Sequence, residues 1–238
     1  MEKLEKILKN LNDPNIEVCE KAASSLEDIK HELLKYVDLN LLKNVIPKLM
    51  EKLDDKSGKV CYYIACTLES ISSKLPELFT DKIPKLIEKL DDNNPFVRIS
   101  MTNILREVGE KYPELITDAV PKLLEMIGVP DSESLAATLT LLKVTEKYVD
   151  KIKDKVDDLV KALELINDRN EDGKYISECI TDILYIVWKK YPSLVKKAME
   201  KLWKDVDENK AAAICIVCLL YTSPSPRDLS TSRMPSSA

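Results

Sequence analysis

One block of this sequence occurs three times at a fixed interval, and that interval limits the folds open to the chain. VIPKLMEKLDD (45–55), KIPKLIEKLDD (82–92) and AVPKLLEMIG (119–128) align without gaps, and their prolines Pro47, Pro84 and Pro121 lie 37 residues apart. The same slot holds Glu5 in EKILKNL, Val160 in LVKALELI and Lys196 in KKAMEKLW, which makes six units with a mean period near 38 residues. A unit that short cannot enclose a core by itself. It buries its apolar surface by stacking on its neighbours, so such a period implies a solenoid-like array. A second motif marks the junctions: KYVDL (35–39), KLPEL (74–78), KYPEL (111–115), KYVDK (147–151) and KYPSL (190–194).

Each unit reads as two helices. Lysine, leucine, glutamate and isoleucine dominate, only 4 residues of 238 are glycine, and no Asn-Gly or Asp-Gly turn separates alternating apolar runs. Straight-chain residues lose little rotamer freedom in a helix, and the hairpin signal is missing. The first helix of a unit is short, as in Asp81–Leu90, with Pro84 and Pro121 in first turns behind Asp81 and Asp118 as expected caps. A proline costs least there because its missing N–H has no partner within the helix. Polar turns follow at Asn12–Asn15, Asp54–Gly58, Asp91–Pro95 and Asn167–Gly173. The second helix is longer, as in Phe96–Tyr112, and ends before Pro76, Pro113 or Pro192, since the residue before a proline avoids the helical region. Its apolar residues recur at helical spacing: Val18, Ala22, Leu26 and Ile29, then Val60, Ile64, Leu68 and Ile71, then Val97, Met101, Leu105 and Val108, then Ile176, Ile180, Leu184 and Val187. The pattern predicts an all-α fold of eleven or twelve helices without a sheet.

With the period, the IPKLIEKLDD-type first helix, and the turns of DPNIEVCEKAASSL and DDNNPFVRISMTNIL in place, residues 1–217 resemble the HEAT repeats of the armadillo-like superfamily. The resemblance implies a right-handed α-α superhelix of about six HEAT-like helix pairs, the last one truncated, with the second helices lining a concave surface. It also implies a protein-binding scaffold. The family favours arginine after the valine that opens the second helix, where it ties adjacent turns together. Here Arg98 fits, while Cys19, Cys61 and Ser177 fill the corresponding positions.

The remaining features argue against other classes. Acidic residues outnumber basic ones 41 to 36, with the signs interleaved, whereas nucleic-acid binders carry a basic excess. No apolar run approaches the roughly 20 residues that span a bilayer. Of the six cysteines only Cys215 and Cys218 form a C-x-x-C pair, the others are scattered and there is one histidine, His31, so neither a four-ligand zinc site nor a histidine-based catalytic set is assembled. Free thiols suit a reducing compartment, and a cytoplasmic, non-enzymatic protein without cofactor, membrane or nucleic-acid partner is expected. The alternative is a HEAT-type enzyme subunit or nucleic-acid-binding protein whose active part lies elsewhere.

The candidate site follows from the second helices. Positions 2, 6, 9 and 13 after the opening valine share one side opposite the apolar stripe. They read Glu20, Ser24, Glu27 and His31; Tyr62, Cys66, Glu69 and Ser73; Ile99, Asn103, Arg106 and Glu110; and Glu178, Asp182, Tyr185 and Lys189. This mildly acidic row with apolar anchors suits a basic or amphipathic partner segment. In the fourth unit, apolar residues nearly encircle the second helix. Leu135, Leu139 and Leu142 form one line; Ala137, Leu141, Val144 and Tyr148 form another, a second stripe that is either open to a partner or buried by the neighbouring units. The candidate partner-binding residues are therefore Tyr62, Glu69, Ile99, Arg106, Leu141, Tyr148, Glu178, Asp182 and Tyr185. On the first helices, lysines such as Lys85 and Lys122 pair at i, i+3 with Glu88 and Glu125, which reads as a solvated outer face.

The texture changes after Val217. Residues 218–238, CLLYTSPSPRDLSTSRMPSSA, resemble a translated sequencing adapter, with both flanks in one frame. They are expected to be a non-native or disordered tail, and no function is read from them. The expected organisation is one solenoid over 1–217, with units at about 1–39, 40–78, 79–115, 116–152, 153–194 and 195–217.

Overall fold

In the computed structural model, the described residues are 2–36, 39–128, 131–166 and 171–204. They form eleven α-helices and no strand. The helices alternate. First helices are α1 (Glu2–Asn10), α3 (Leu39–Glu51), α5 (Ile83–Glu88), α7 (Val120–Glu125), α9 (Val156–Leu165) and α11 (Pro192–Lys204). Second helices are α2 (Ile16–Tyr36), α4 (Gly58–Ser72), α6 (Pro95–Lys111), α8 (Ser132–Tyr148) and α10 (Glu171–Lys190). The most extensive packing is between successive second helices, α2 on α4, α4 on α6, α6 on α8 and α8 on α10, with the first helices laid against them. The architecture is an α-solenoid. The expectation for the tail 218–238 and for the second half of the sixth unit lies outside the described residues.

The apolar stripes meet in one continuous core along the stack. Val60, Ile64, Leu68, Val97, Met101, Leu105, Ile176, Ile180 and Leu184 are completely buried. Between the helices of a pair, short polar side chains close the turn and start the second helix. Asp55 accepts from the Ser57 N–H and Asp92 from the Asn94 N–H. Ser57, Asn94 and Asp131 then cap α4, α6 and α8 by accepting from backbone N–H groups of the first turn. The expected caps Asp81 and Asp118 do not act as such. A 3₁₀ turn (Pro76–Lys82, Pro113–Ala119) runs straight into α5 and α7, so the capping positions fall to Lys82 and Ala119, without side-chain bonds. Helical backbone already precedes these helices, leaving no extended residue from which a cap could reach back. In the second unit the same stretch is wholly α-helical, so Pro47 lies inside α3 although its register matches Pro84 and Pro121.

Two ladders tie the units together. At the turn end, Arg98 donates through Nε and Nη2 to both carboxylate oxygens of Glu133 at 2.8 and 2.7 Å, and through Nη1 to the Asp92 carbonyl at 2.7 Å. Cys19 and Cys61 occupy the arginine position in their units and donate to the equivalent carbonyls, Asp13 at 2.9 Å and Asp55 at 3.3 Å. A thiol thus satisfies the turn carbonyl but cannot reach the next unit. Lys89, nearly buried, bridges Asp92 at 2.9 Å and Asp54 of the preceding turn. Burial opposes its charge, and the hydrogen bonds to Asp54 and Asp92 outweigh that, raising its pKa. The second ladder explains the junction motif. Lys111 pairs with Glu77 at 3.3 Å, Tyr148 donates to Glu114 at 3.5 Å, and Lys190 pairs with Asp150 at 2.7 Å. In these three pairs the acid of one junction meets the lysine or tyrosine of the next.

Candidate functional site

In the second, third and fifth units the side of the second helix opposite its apolar stripe stays accessible, while on α8 the same register buries Ala136 and Thr140. Tyr62, Ser73, Glu110, Glu178 and Lys189 are exposed, and Cys66, Glu69, Ile99, Asn103, Arg106, Asp182 and Tyr185 are half-buried. Helical periodicity places them there: the residues between them are consumed by the seams.

Within this row the candidates have different roles. Tyr62 meets Phe96 edge-to-face at 5.0 Å between ring centroids, joining α4 to α6, and Phe96 is itself 54% exposed. Glu69 is committed to the fold. Its carboxylate accepts from Ser100 Oγ at 2.8 Å and Asn103 Nδ2 at 2.9 Å, both on α6. Glu20 accepts from Ser57 Oγ at 2.8 Å and Lys59 Nζ at 3.2 Å, and these bonds hold its pKa below the usual carboxylate value. Tyr185 stacks on Trp188 at 6.1 Å, and the Lys189 ammonium lies 4.5 Å from the Tyr185 ring centroid.

Arg106, Glu178 and Asp182 are brought together in an open cleft of about 270 Å³ between α6, α8 and α10. Leu139, Leu142, Lys143, Tyr175 and Cys179 complete its lining. Sequence reasoning missed Leu139, Lys143 and Tyr175. The register that selects Arg106 in the third unit selects Lys143 in the fourth, but Ser134 fills the opening-valine slot there and hides the correspondence.

The fourth unit requires a correction. Leu141, a candidate partner-binding residue, is completely buried, as are Ala137 and Val144, so of the two readings of this stripe burial by the neighbouring units holds. Leu139, on the other line, is half-buried at the cleft. The reason is that α8 is covered by α6 on one side and α10 on the other, with α7 and the preceding 3₁₀ turn behind it. Tyr148 is half-buried, and its hydroxyl belongs to the junction ladder rather than to the cleft.

Among the described residues, Cys19, Cys61, Cys66 and Cys179 are not joined in disulfides, and no three His, Cys, Asp or Glu side chains converge as a metal would need. No described helix is long and apolar enough to cross a membrane.

No protein-family model and no curated protein matches the chain. Solved structures do. An engineered protein is 19% identical, with a TM-score of 0.65, over 94% of this chain and all of its own. A designed armadillo repeat protein in complex with the peptide (KR)4 is 17% identical, with a TM-score of 0.63, over 90% of this chain and 98% of its own. In the Kap95:Nup1 complex, the matching chain is 18% identical, with a TM-score of 0.60, over 96% of this chain and 31% of its own. At these identities the likeness concerns the fold, an α-solenoid of the armadillo and HEAT type.

Proposed function

We propose that the chain is a non-enzymatic, cytoplasmic scaffold that binds an extended or helical segment of a partner protein along the second helices. Residues 1–217 act as one module in this reading, and the second-helix side is its concave face. The observation that carries it is the accessible row Tyr62, Ile99, Arg106, Glu178, Asp182 and Tyr185, where the second, third and fifth units present aromatic, apolar or charged groups on the side of the second helix opposite its apolar stripe. Flat rings and branched apolar groups give contact area at low entropic cost, and the charges set orientation. A designed relative of this fold is solved with (KR)4, a basic peptide, in keeping with a basic or amphipathic partner segment. The opposite side of the units, with Lys85–Glu88 and Lys122–Glu125 pairs at 3.2 Å, has the self-neutralised character of a solvated face.

The test is a fluorescence-anisotropy titration with fluorescein-labelled (KR)4 and (ER)4 octapeptides. Binding that weakens in Tyr62→Ala and Tyr185→Ala, and persists in Lys85→Ala and Lys122→Ala, supports the reading. Absence of binding by both peptides, or binding sensitive only to the first-helix variants, refutes it.

A further inference from the structure

Resting on that reading, we infer that the cleft between α6, α8 and α10 is an anchor site for a mixed-charge element of the partner: a lysine or arginine side chain beside an acidic one. The cleft divides its charge. Arg106 and Lys143 stand on α6 and α8, and Glu178 and Asp182 stand on α10. A uniformly basic ligand gains from the α10 side and is repelled from the other, whereas neighbouring charges of opposite sign satisfy both.

The volume, about 270 Å³, falls just below the roughly 300–1,000 Å³ of sites that enclose drug-sized molecules, and the cleft is open, which suits side chains entering from an extended segment. Leu139 and Leu142 line it with apolar surface on which the aliphatic stem of a lysine or arginine can lie. Tyr175, 50% exposed, offers a ring to the cationic head.

Arg106, Lys143 and Glu178 are also easy to recruit. Among the described residues, Arg106 is ion-paired only with its sequence neighbour Glu107 at 3.3 Å, and Lys143 only with Glu110 at 3.9 Å and Glu146 at 3.6 Å. Pairs this long and partly solvated contribute little and exchange readily for a ligand carboxylate. Glu178 is exposed and has no ion pair among the described residues. This contrasts with Glu69 and Glu20 on the same side of the stack, whose carboxylates are already taken by neighbouring units.

The experiment compares labelled (ER)4 with (KR)4 at equal ionic strength, using the whole chain. The expected result is at least fivefold tighter binding of (ER)4. Lys143→Glu and Glu178→Lys should each weaken (ER)4 at least fivefold. Tyr175→Ala, at an exposed position, should weaken (ER)4 with unchanged thermal unfolding. Binding of (ER)4 that ignores all of these variants, or equal affinity for the two peptides, overturns the assignment while leaving the scaffold reading intact. Absence of binding by both peptides overturns the two together.

Discussion

Leu141 and Leu139 sit two residues apart on α8, and the fold assigns them opposite consequences. Leu141 is 0% exposed, between Ala137 and Val144 on a side that is equally sealed. Its truncation to alanine removes buried carbon and leaves a cavity, a class of change that costs about 2–5 kcal/mol according to how far the surroundings collapse. Helices pack on both flanks of α8, so little collapse is available and the cost belongs in the middle of that range, about 3–4 kcal/mol. Leu139 is half-buried at the cleft, so its truncation forfeits only part of a leucine's burial, about 1 kcal/mol. Against a typical domain stability of about 5–15 kcal/mol, the first loss is severe and the second mild. Urea titration followed by circular dichroism at 222 nm measures both, and amide hydrogen exchange in α8 locates the damage. Leu141→Ala should also uncouple the units on either side, because each unit is stabilised through its neighbours. Equal small losses, or a greater loss from Leu139→Ala, would refute the burial assigned to α8.

Gly109 lies buried in α6 where the next 3₁₀ turn crosses it, and a Cβ there would collide with Ile116 Cδ1. Alanine gains about 1 kcal/mol of helix propensity but incurs overpacking of about 1–3 kcal/mol. Gly109→Ala should therefore lose about 1 kcal/mol in urea titration, and Ile116→Val in the same chain should recover much of it. For the turn ladder, burial opposes charge on Asp92, but the Asn94 N–H and Lys89 outweigh it and lower its pKa. A lowered folded-state pKa contributes stability that is complete above the unfolded value and lost as pH falls through the folded one. Thermal unfolding should thus decline as pH drops below about 4, the ordinary aspartate range, and Asp92→Asn should flatten that limb; an unchanged pH profile would contradict the role given to Asp92.

The solenoid was legible because its determinants are local and repeated. Pro47, Pro84 and Pro121 kept their register, and the stripes of α4, α6 and α10 pack as their spacing requires. Arg98 also gave a correct reading, since its role depends on a turn six residues away and on the facing glutamate of the next unit. What stayed hidden depends on neighbours rather than on periodicity. Nothing in α8 alone says which of two apolar lines is covered, since α6 and α10 decide it. The clamp function of KYPEL-type motifs is similarly invisible in one unit, because Lys111 finds Glu77 only after stacking. Glu69 looked like a free carboxylate on an open face, and its commitment to Ser100 and Asn103 appears only across the α4–α6 seam. The cleft was half visible: Arg106, Glu178 and Asp182 followed from the register, while Lys143 was masked by Ser134 in the slot that anchors it.

The central claim is that the second helices form the docking side, and covalent mapping tests it directly. An (ER)4 peptide carrying one benzophenone photophore, irradiated with the chain and digested for mass spectrometry, should mark residues of α4, α6, α8 and α10 on the row from Tyr62 to Tyr185. Marks confined to the first helices, around Lys85 and Lys122, would contradict it.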